Sequence, residues 1–128
     1  MKKKTKVNAA ILIIGNEILS GRTKDLNTST LATWLNSIGV KVNEVRIVPD
    51  NEEIIVNTLN VLRKVNDYVF TTGGIGPTHD DITAQSVSKA FKIKYEIHKE
   101  AYKILENYYK PGEFNEGRQK MVWMPENA

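Results

Sequence analysis

At 128 residues with 41% hydrophobic content, the chain fits one domain with a single core, and it contains no run of about 18 apolar residues that would span a membrane. The formal net charge is +3, but Lys2, Lys3, Lys4 and Lys6 alone exceed it, so the remainder is slightly acidic and shows no basic face with interleaved aromatics of the kind that binds nucleic acid. Cysteine is absent, which excludes a disulfide framework and a thiolate metal site and points to a cytoplasmic setting.

Residues 1–7 read as a basic tail and residues 8–128 as one domain. The tail resembles the charged start of a signal peptide, yet the apolar run behind it covers only 9–14 and ends at Glu17. Residues 8–14 are nearly continuously apolar, the pattern of a strand covered on both faces. A polar loop over 15–27 leads to a helix whose apolar positions Leu31, Trp34, Leu35 and Ile38 follow the i, i+3, i+4, i+7 spacing, with Gly39 as its stop. Residues 40–48 form a strand with imperfect alternation of Val40, Val42, Val45 and Ile47, which places it nearer an edge. Asp50 with Glu53 fits a capping box for a helix that buries Ile55, Leu59 and Leu62.

The third strand spans 67–72, and the helix after it, about 81–91, buries Ile82, Val87, Ala90 and Phe91. Residues 94–97 read as a short strand, 99–109 as a helix with Ala101, Ile104, Leu105 and Tyr108 inward, and Pro111-Gly112 ends it. Residues 121–125 read as a last strand with no following element to cover it, so either a partner covers it or the chain is a fragment of a longer protein. Alternating strands and helices of this kind imply a mostly parallel sheet with helices on both faces.

In such sheets ligands bind at the C-terminal strand ends, and the residues able to carry chemistry gather there. The strand ending Val69-Phe70-Thr71-Thr72 runs into Gly73, Gly74, Ile75 and Gly76, then Pro77, Thr78, His79, Asp80, Asp81, Ile82 and Thr83. A strand that delivers glycine amides to a helix start is the local geometry of an anion site, and Gly73, Gly74 and Gly76 permit positive φ and close approach. A tight turn explains the same glycines without a ligand. The loop is neither a Walker motif nor a dinucleotide fingerprint, because no lysine follows and the glycine spacing differs. Thr71, Thr72 and Thr78 add hydroxyl donors for phosphate oxygens.

Asp80 and Asp81 each qualify as a helix cap. Two adjacent carboxylates beside an anion also repel it unless a cation or a proton intervenes, so both are candidate metal ligands and catalytic groups, with Asp81 ahead. Asp50, at the end of a neighbouring strand, is the third catalytic candidate, with the cap as its other explanation. Gly15, Glu17 and Ser20 follow the first strand and join the ligand-binding set with Gly73, Gly74, Ile75, Gly76 and Thr78; Asn27 binds ligand hydroxyls or caps the first helix. Arg118 and Lys120 read as solvated charges rather than phosphate partners. His79 has only the distant His98 as a second imidazole, so neither marks a metal site.

The run Gly15-Asn16-Glu17-Ile18-Leu19-Ser20-Gly21, then Asn27, then the glycine loop through Thr83, resembles the MoaB/Mog-type molybdopterin-binding domain family. Within it, the Gly-Pro-Thr-x-Asp-Asp-x-Thr ending at 76–83 and Arg118-Gln119-Lys120-Met121 with Pro125 resemble the amino-terminal domain of CinA-like competence/damage-inducible proteins. The resemblance implies a three-layer αβα fold and a homo-oligomer, a dimer or trimer. It implies a small phosphorylated ligand, either a molybdopterin-like pterin phosphate handled with adenylate or, in the CinA branch, ADP-ribose cleaved at its diphosphate with magnesium or manganese. Asp50 and Asp81 match the acidic residues that act in the cofactor branch. Two departures stand out: the family domain continues past 125 into another glycine-rich loop, strand and helix, so 8–128 reads as a domain truncated at its C-terminal end, and Asn16 replaces an aspartate that would add a metal ligand.

Overall fold

The computed structural model describes residues 6–128, so residues 1–5 of the expected basic tail lie outside the described residues, and β1 (Val7–Ile14) starts at the tail's last position. β1 is the centre of a three-stranded parallel sheet, between β2 (Val40–Val48) and β3 (Tyr68–Thr72). Its position explains the composition of the run: Ala9 through Ile14 are all at most 3% exposed, because both faces are covered. Ala10, Leu12 and Ile14 pack with Val48, with Ile55, Leu59 and Leu62 of α3 (Glu52–Val65), and with Ala90 of α4 (Thr83–Phe91). Ala9, Ile11 and Ile13 point to the other face, where α2 (Asn27–Ser37) supplies buried Leu35. The result is the expected three-layer α/β arrangement. Truncating one residue of the central strand, as in Leu12→Ala, costs about 2–5 kcal/mol.

β2 is indeed an edge strand, and its imperfect alternation has a specific cause. Ala9 pairs with Val42 but Ala10 pairs with Glu44, so Asn43 is an extra, bulged residue. The bulge lets Val42 and Val45 share a face despite their odd spacing.

Several expected details shift. Asn51, not Asp50, caps α3, accepting from the Ile54 amide at 3.1 Å, and no Asp50–Glu53 box forms. α4 begins at Thr83, so neither Asp80 nor Asp81 is its first residue or its cap. Phe91 is 44% exposed beneath the Arg63 guanidinium, which sits 4.4 Å from its ring centroid. In α5 (Lys99–Tyr108), Ile104 and Tyr108 face solvent; the inward side is made by Tyr102 and Leu105, with Tyr102 and Tyr109 against the Phe114 ring. Trp34 and Ile38 of the α2 segment are likewise exposed. A short helix α1 (Asn16–Leu19) lies within the expected 15–27 loop, and a second, α6 (Glu116–Gln119), lies in a stretch to which the sequence pattern assigns no element.

The last strand is shorter than expected and belongs elsewhere. Residues 120–122 form a 3-10 turn that buries Val122, and β5 (Trp123–Pro125) pairs antiparallel with β4 (Tyr95–Ile97) in a separate ribbon. This ribbon packs on α4. The apolar run at 121–125 is therefore paired within the described chain and buries Val122, but Trp123 stays 38% exposed.

Candidate functional site

All three parallel strands end at one edge, and hydrogen bonds tie their loops together. The Gly15 amide donates to the Val48 carbonyl at 3.0 Å, extending the β1–β2 ladder into the first loop. The Asn16 amide donates to Asp50 Oδ2 at 3.1 Å and the Asp50 amide donates to Asn16 Oδ1 at 3.2 Å. On the other side of β1, Gly73 lies so close to Ile14 that a Cβ would fall 2.0 Å from the Ile14 carbonyl oxygen.

The glycine loop owes its shape to these contacts. Gly73 and Gly74 have φ of +88° and +66°, which side-chain-bearing residues rarely adopt. Buried Thr83 grips the loop from the start of α4: its hydroxyl donates to the Gly73 carbonyl at 2.8 Å and its amide to the Gly74 carbonyl at 3.0 Å. Among the described residues, no hydrogen bond takes up the amides of Gly74 and Ile75. The loop thus combines a fixed backbone with two free donors at the head of a helix, the requirement for holding an anion.

Asp81 folds the far half of the loop back on itself. Its Oδ2 accepts from the Thr78 amide at 2.9 Å and the Thr78 hydroxyl at 2.8 Å, and a Cβ on Gly76 would sit 2.8 Å from the same oxygen. Partial burial opposes its ionisation, but the Thr78 amide and hydroxyl, the Gly76 amide and the charge of Lys120 together hold its carboxyl below the usual range. Lys120 arrives from the C-terminal segment and donates through Nζ to the Thr78 carbonyl. Asp80 points elsewhere: it pairs with His79 at 3.2 Å, and both side chains are largely exposed.

Two cavities flank the loop. One, of about 250 Å³, is lined by Gly74, Ile75, Gly76, Asp81, Lys120 and the ribbon residues Tyr95 and Trp123, among others. The other, of about 280 Å³, brings together Gly73, Glu17, Asn27, Thr72 and Asp25. Asp50, Asp80, Gly15 and Ser20 line neither; Thr78 reaches the first through its bonds to Asp81 and Lys120. Ser20 is spent on its own turn, with its hydroxyl donating to the Glu17 carbonyl at 3.3 Å. Asn27 is the first residue of α2 and not its cap; Asp25 accepts from the Asn27 and Thr28 amides. Thr71 and Thr72 face opposite sides of the sheet, so they do not meet one ligand.

Sequence reasoning passed over Thr83 and set Lys120 aside as a solvated charge. Thr83 closes the motif that carries the resemblance, but its grip on Gly73 and Gly74 depends on how the loop folds back, and the partner of Lys120 lies 42 positions away. Arg118, weighed beside it, donates to the Glu113 carbonyl at 2.7 Å and covers the Tyr109 ring, away from the loop.

Of the two expected metal ligands, Asp80 and Asp81, only Asp81 lines the loop cavity. Among the described residues, no three His, Cys, Asp or Glu side chains gather to hold a metal ion. Asp80 and Asp81 diverge, one toward His79 and the other toward Thr78.

The chain is 41% identical over 123 residues to a protein of Sulfurisphaera tokodaii, a match that spans 94% of this chain and 47% of the relative. It is 36% identical over 124 residues to a Clostridioides difficile protein named as competence-damage inducible, spanning 95% of this chain and 30% of that one. It thus spans half or less of the length of these curated relatives. Among solved structures it resembles the protein CinA from Thermoplasma acidophilum, with a TM-score of 0.89 and 30% identity over 96% of this chain and 73% of that one. The tungsten cofactor synthesizing protein MoaB from Pyrococcus furiosus follows at a TM-score of 0.61 and 25% identity, over 68% of this chain and 54% of that one. Residues 10–126 match the model of the family described as probable molybdopterin binding domain, and the chain belongs to that family.

Proposed function

We propose that this domain binds a small phosphate ester, a pterin phosphate or a nucleotide diphosphate, with its phosphate on the 73–78 loop. The observation that carries the reading is the pair of unoccupied amides at Gly74 and Ile75, fixed by Thr83 at the head of α4, with Lys120 lining the same cavity. Asp81 sets the loop's shape and stays ionised; Gly73, Glu17 and Asn27 belong to the cavity on the loop's other side.

The enzymatic form of this reading is an ADP-ribose diphosphate hydrolase supplied with magnesium or manganese. Of its three expected acidic groups only Asp81 lies at the loop cavity, so the geometry supports binding ahead of hydrolysis. Zero cysteines support a cytoplasmic setting, and among the described residues no helix is long and apolar enough to cross a membrane. Self-association as a dimer or trimer belongs to the same proposal, supported by the exposed apolar side chains of α2.

The test is calorimetric titration with ADP-ribose, adenosine monophosphate (AMP) and inorganic phosphate, each with and without magnesium or manganese, followed by chromatography for released AMP. Binding that persists in a chelator is the expected result. Metal-dependent release of AMP would add the hydrolase, and no binding of any of the three would end the proposal.

A further inference from the structure

The loop cavity does not stand alone. A second, wider groove of about 700 Å³ shares with it the residues Tyr95, Lys120 and Trp123. The floor of this groove is one face of the β4–β5 ribbon. The register pairs Ile97 with Trp123 and Tyr95 with Pro125, which puts Tyr95, Ile97 and Trp123 on the same side. The rings of Tyr95 and Trp123 lie 5.5 Å apart, tilted by 41°, and both Ile97 and Trp123 remain more than a third exposed. Burial pushes the Tyr95 phenol up, so it stays a neutral hydrogen-bond donor. Gln85 and Gln119 stand at the rim; the Gln119 side-chain amide donates to the Phe114 carbonyl, leaving its oxygen to accept.

The two cavities differ in what they suit. The loop cavity falls below the roughly 300–1,000 Å³ of sites that enclose a whole drug-sized ligand, which suits a phosphate and not an attached bicyclic ring. The groove lies within that range and offers an aromatic floor with amide groups at its edge, the features that hold a heteroaromatic ring flat and read its rim. Lys120 stands on the wall between them with a positive charge for the connecting phosphate.

Resting on the phosphate-loop reading above, we propose that the Tyr95–Ile97–Trp123 face seats the purine- or pterin-type ring of the ligand and that Lys120 contacts its phosphate. The face selects ring-bearing phosphates over bare sugar phosphates, and Lys120 serves both equally.

A Trp34→Phe background leaves Trp123 as the only tryptophan of the chain. AMP is expected to quench Trp123 emission and to bind about tenfold tighter than ribose 5-phosphate, the scale of base–aromatic stacking. Trp123→Leu should bring AMP down to the ribose 5-phosphate level and leave ribose 5-phosphate unchanged, while Trp123→Phe keeps most of the preference. Lys120→Met should weaken both ligands together. Equal affinities with no quench of Trp123 would overturn the ring seat and leave the loop reading intact; no binding of either ligand overturns both. The quench is measured with Trp123 in place, so the outcome stands even where Trp123→Leu fails to fold.

Discussion

Asn16 and Asp50 hold each other by two reciprocal amide-to-side-chain hydrogen bonds, 3.1 and 3.2 Å long, that join the loop after β1 to the loop after β2. The pairing gives Asp50 a structural task in place of the expected α3 cap. Each bond is worth about 1 kcal/mol net. Asn16→Ala is expected to lower the thermal midpoint by roughly 4 °C at that cost, and Asp50→Ala by a similar amount. Because the two bonds form one unit, the double variant should fall well short of the sum in a thermal-unfolding cycle. Strict additivity would mean the pair is not coupled.

The loop glycines differ sharply in what a side chain would meet. At Gly73 the obstacle is the Ile14 backbone carbonyl, which cannot move without disturbing the central strand. Gly39 and Gly112 have similar positive φ but open space around them. Gly73→Ala is therefore expected to prevent folding or lower the midpoint by well over 10 °C, whereas Gly39→Ala costs only the roughly 1–2 kcal/mol of a left-handed backbone. Circular dichroism melts of the two variants make the comparison. Similar melts would show that Gly73 is not held against Ile14.

Much of the layered fold is legible in the chain because burial leaves a direct mark: the short apolar run at 9–14 matches the doubly covered β1, and the broken alternation of β2 records the bulge at Asn43. What escapes is decided by choices between near-equal neighbours. Asp50 and Asn51 are both good caps, and Asn51 takes the role while the Asp50 side chain accepts from the Asn16 amide. Ile104 and Tyr108 share a helical stripe as regular as that of Tyr102 and Leu105, and the aromatic cluster around Phe114 chooses between them. At the site, the glycine loop was readable from its local pattern. Its closure by Lys120 depends on a segment 42 residues away, and its ring-facing floor on the pairing of β4 with β5.

Asp81 links loop shape to pH. Its carboxyl is held below the usual range, so the folded state binds a proton there less readily than the unfolded chain does. The associated stability is fully present above the unfolded carboxylate value and is lost as pH falls through the lowered folded value. Thr78→Val, which removes the hydroxyl donor but keeps the amide, should be less stable than wild type from pH 8 down to pH of about 5, and the gap should close below about pH 4. Midpoints of both proteins across this range provide the check. A gap that stays constant into acid would detach the Thr78 hydroxyl from the ionised form of Asp81.

The exposed side of α2 bears on assembly. Trp34 and Ile38 lie one helical turn apart and are 54% and 55% exposed, and across the sheet Tyr68 stacks on Phe70 with 57% of its own surface open. Two large apolar side chains at i and i+4 on a helix that already covers one sheet face form a continuous stripe, the kind of surface that a second copy can cover. Sedimentation equilibrium is expected to give two or three times the 14.5 kDa chain mass. Ile38→Lys places a charge in the stripe and should shift the protein to the monomer. Its thermal midpoint should then lose the concentration dependence that association gives the wild type. Wild type that sediments as a monomer at high concentration would remove this face as an interface, and an Ile38→Lys protein that keeps its assembly would move the interface elsewhere on the chain.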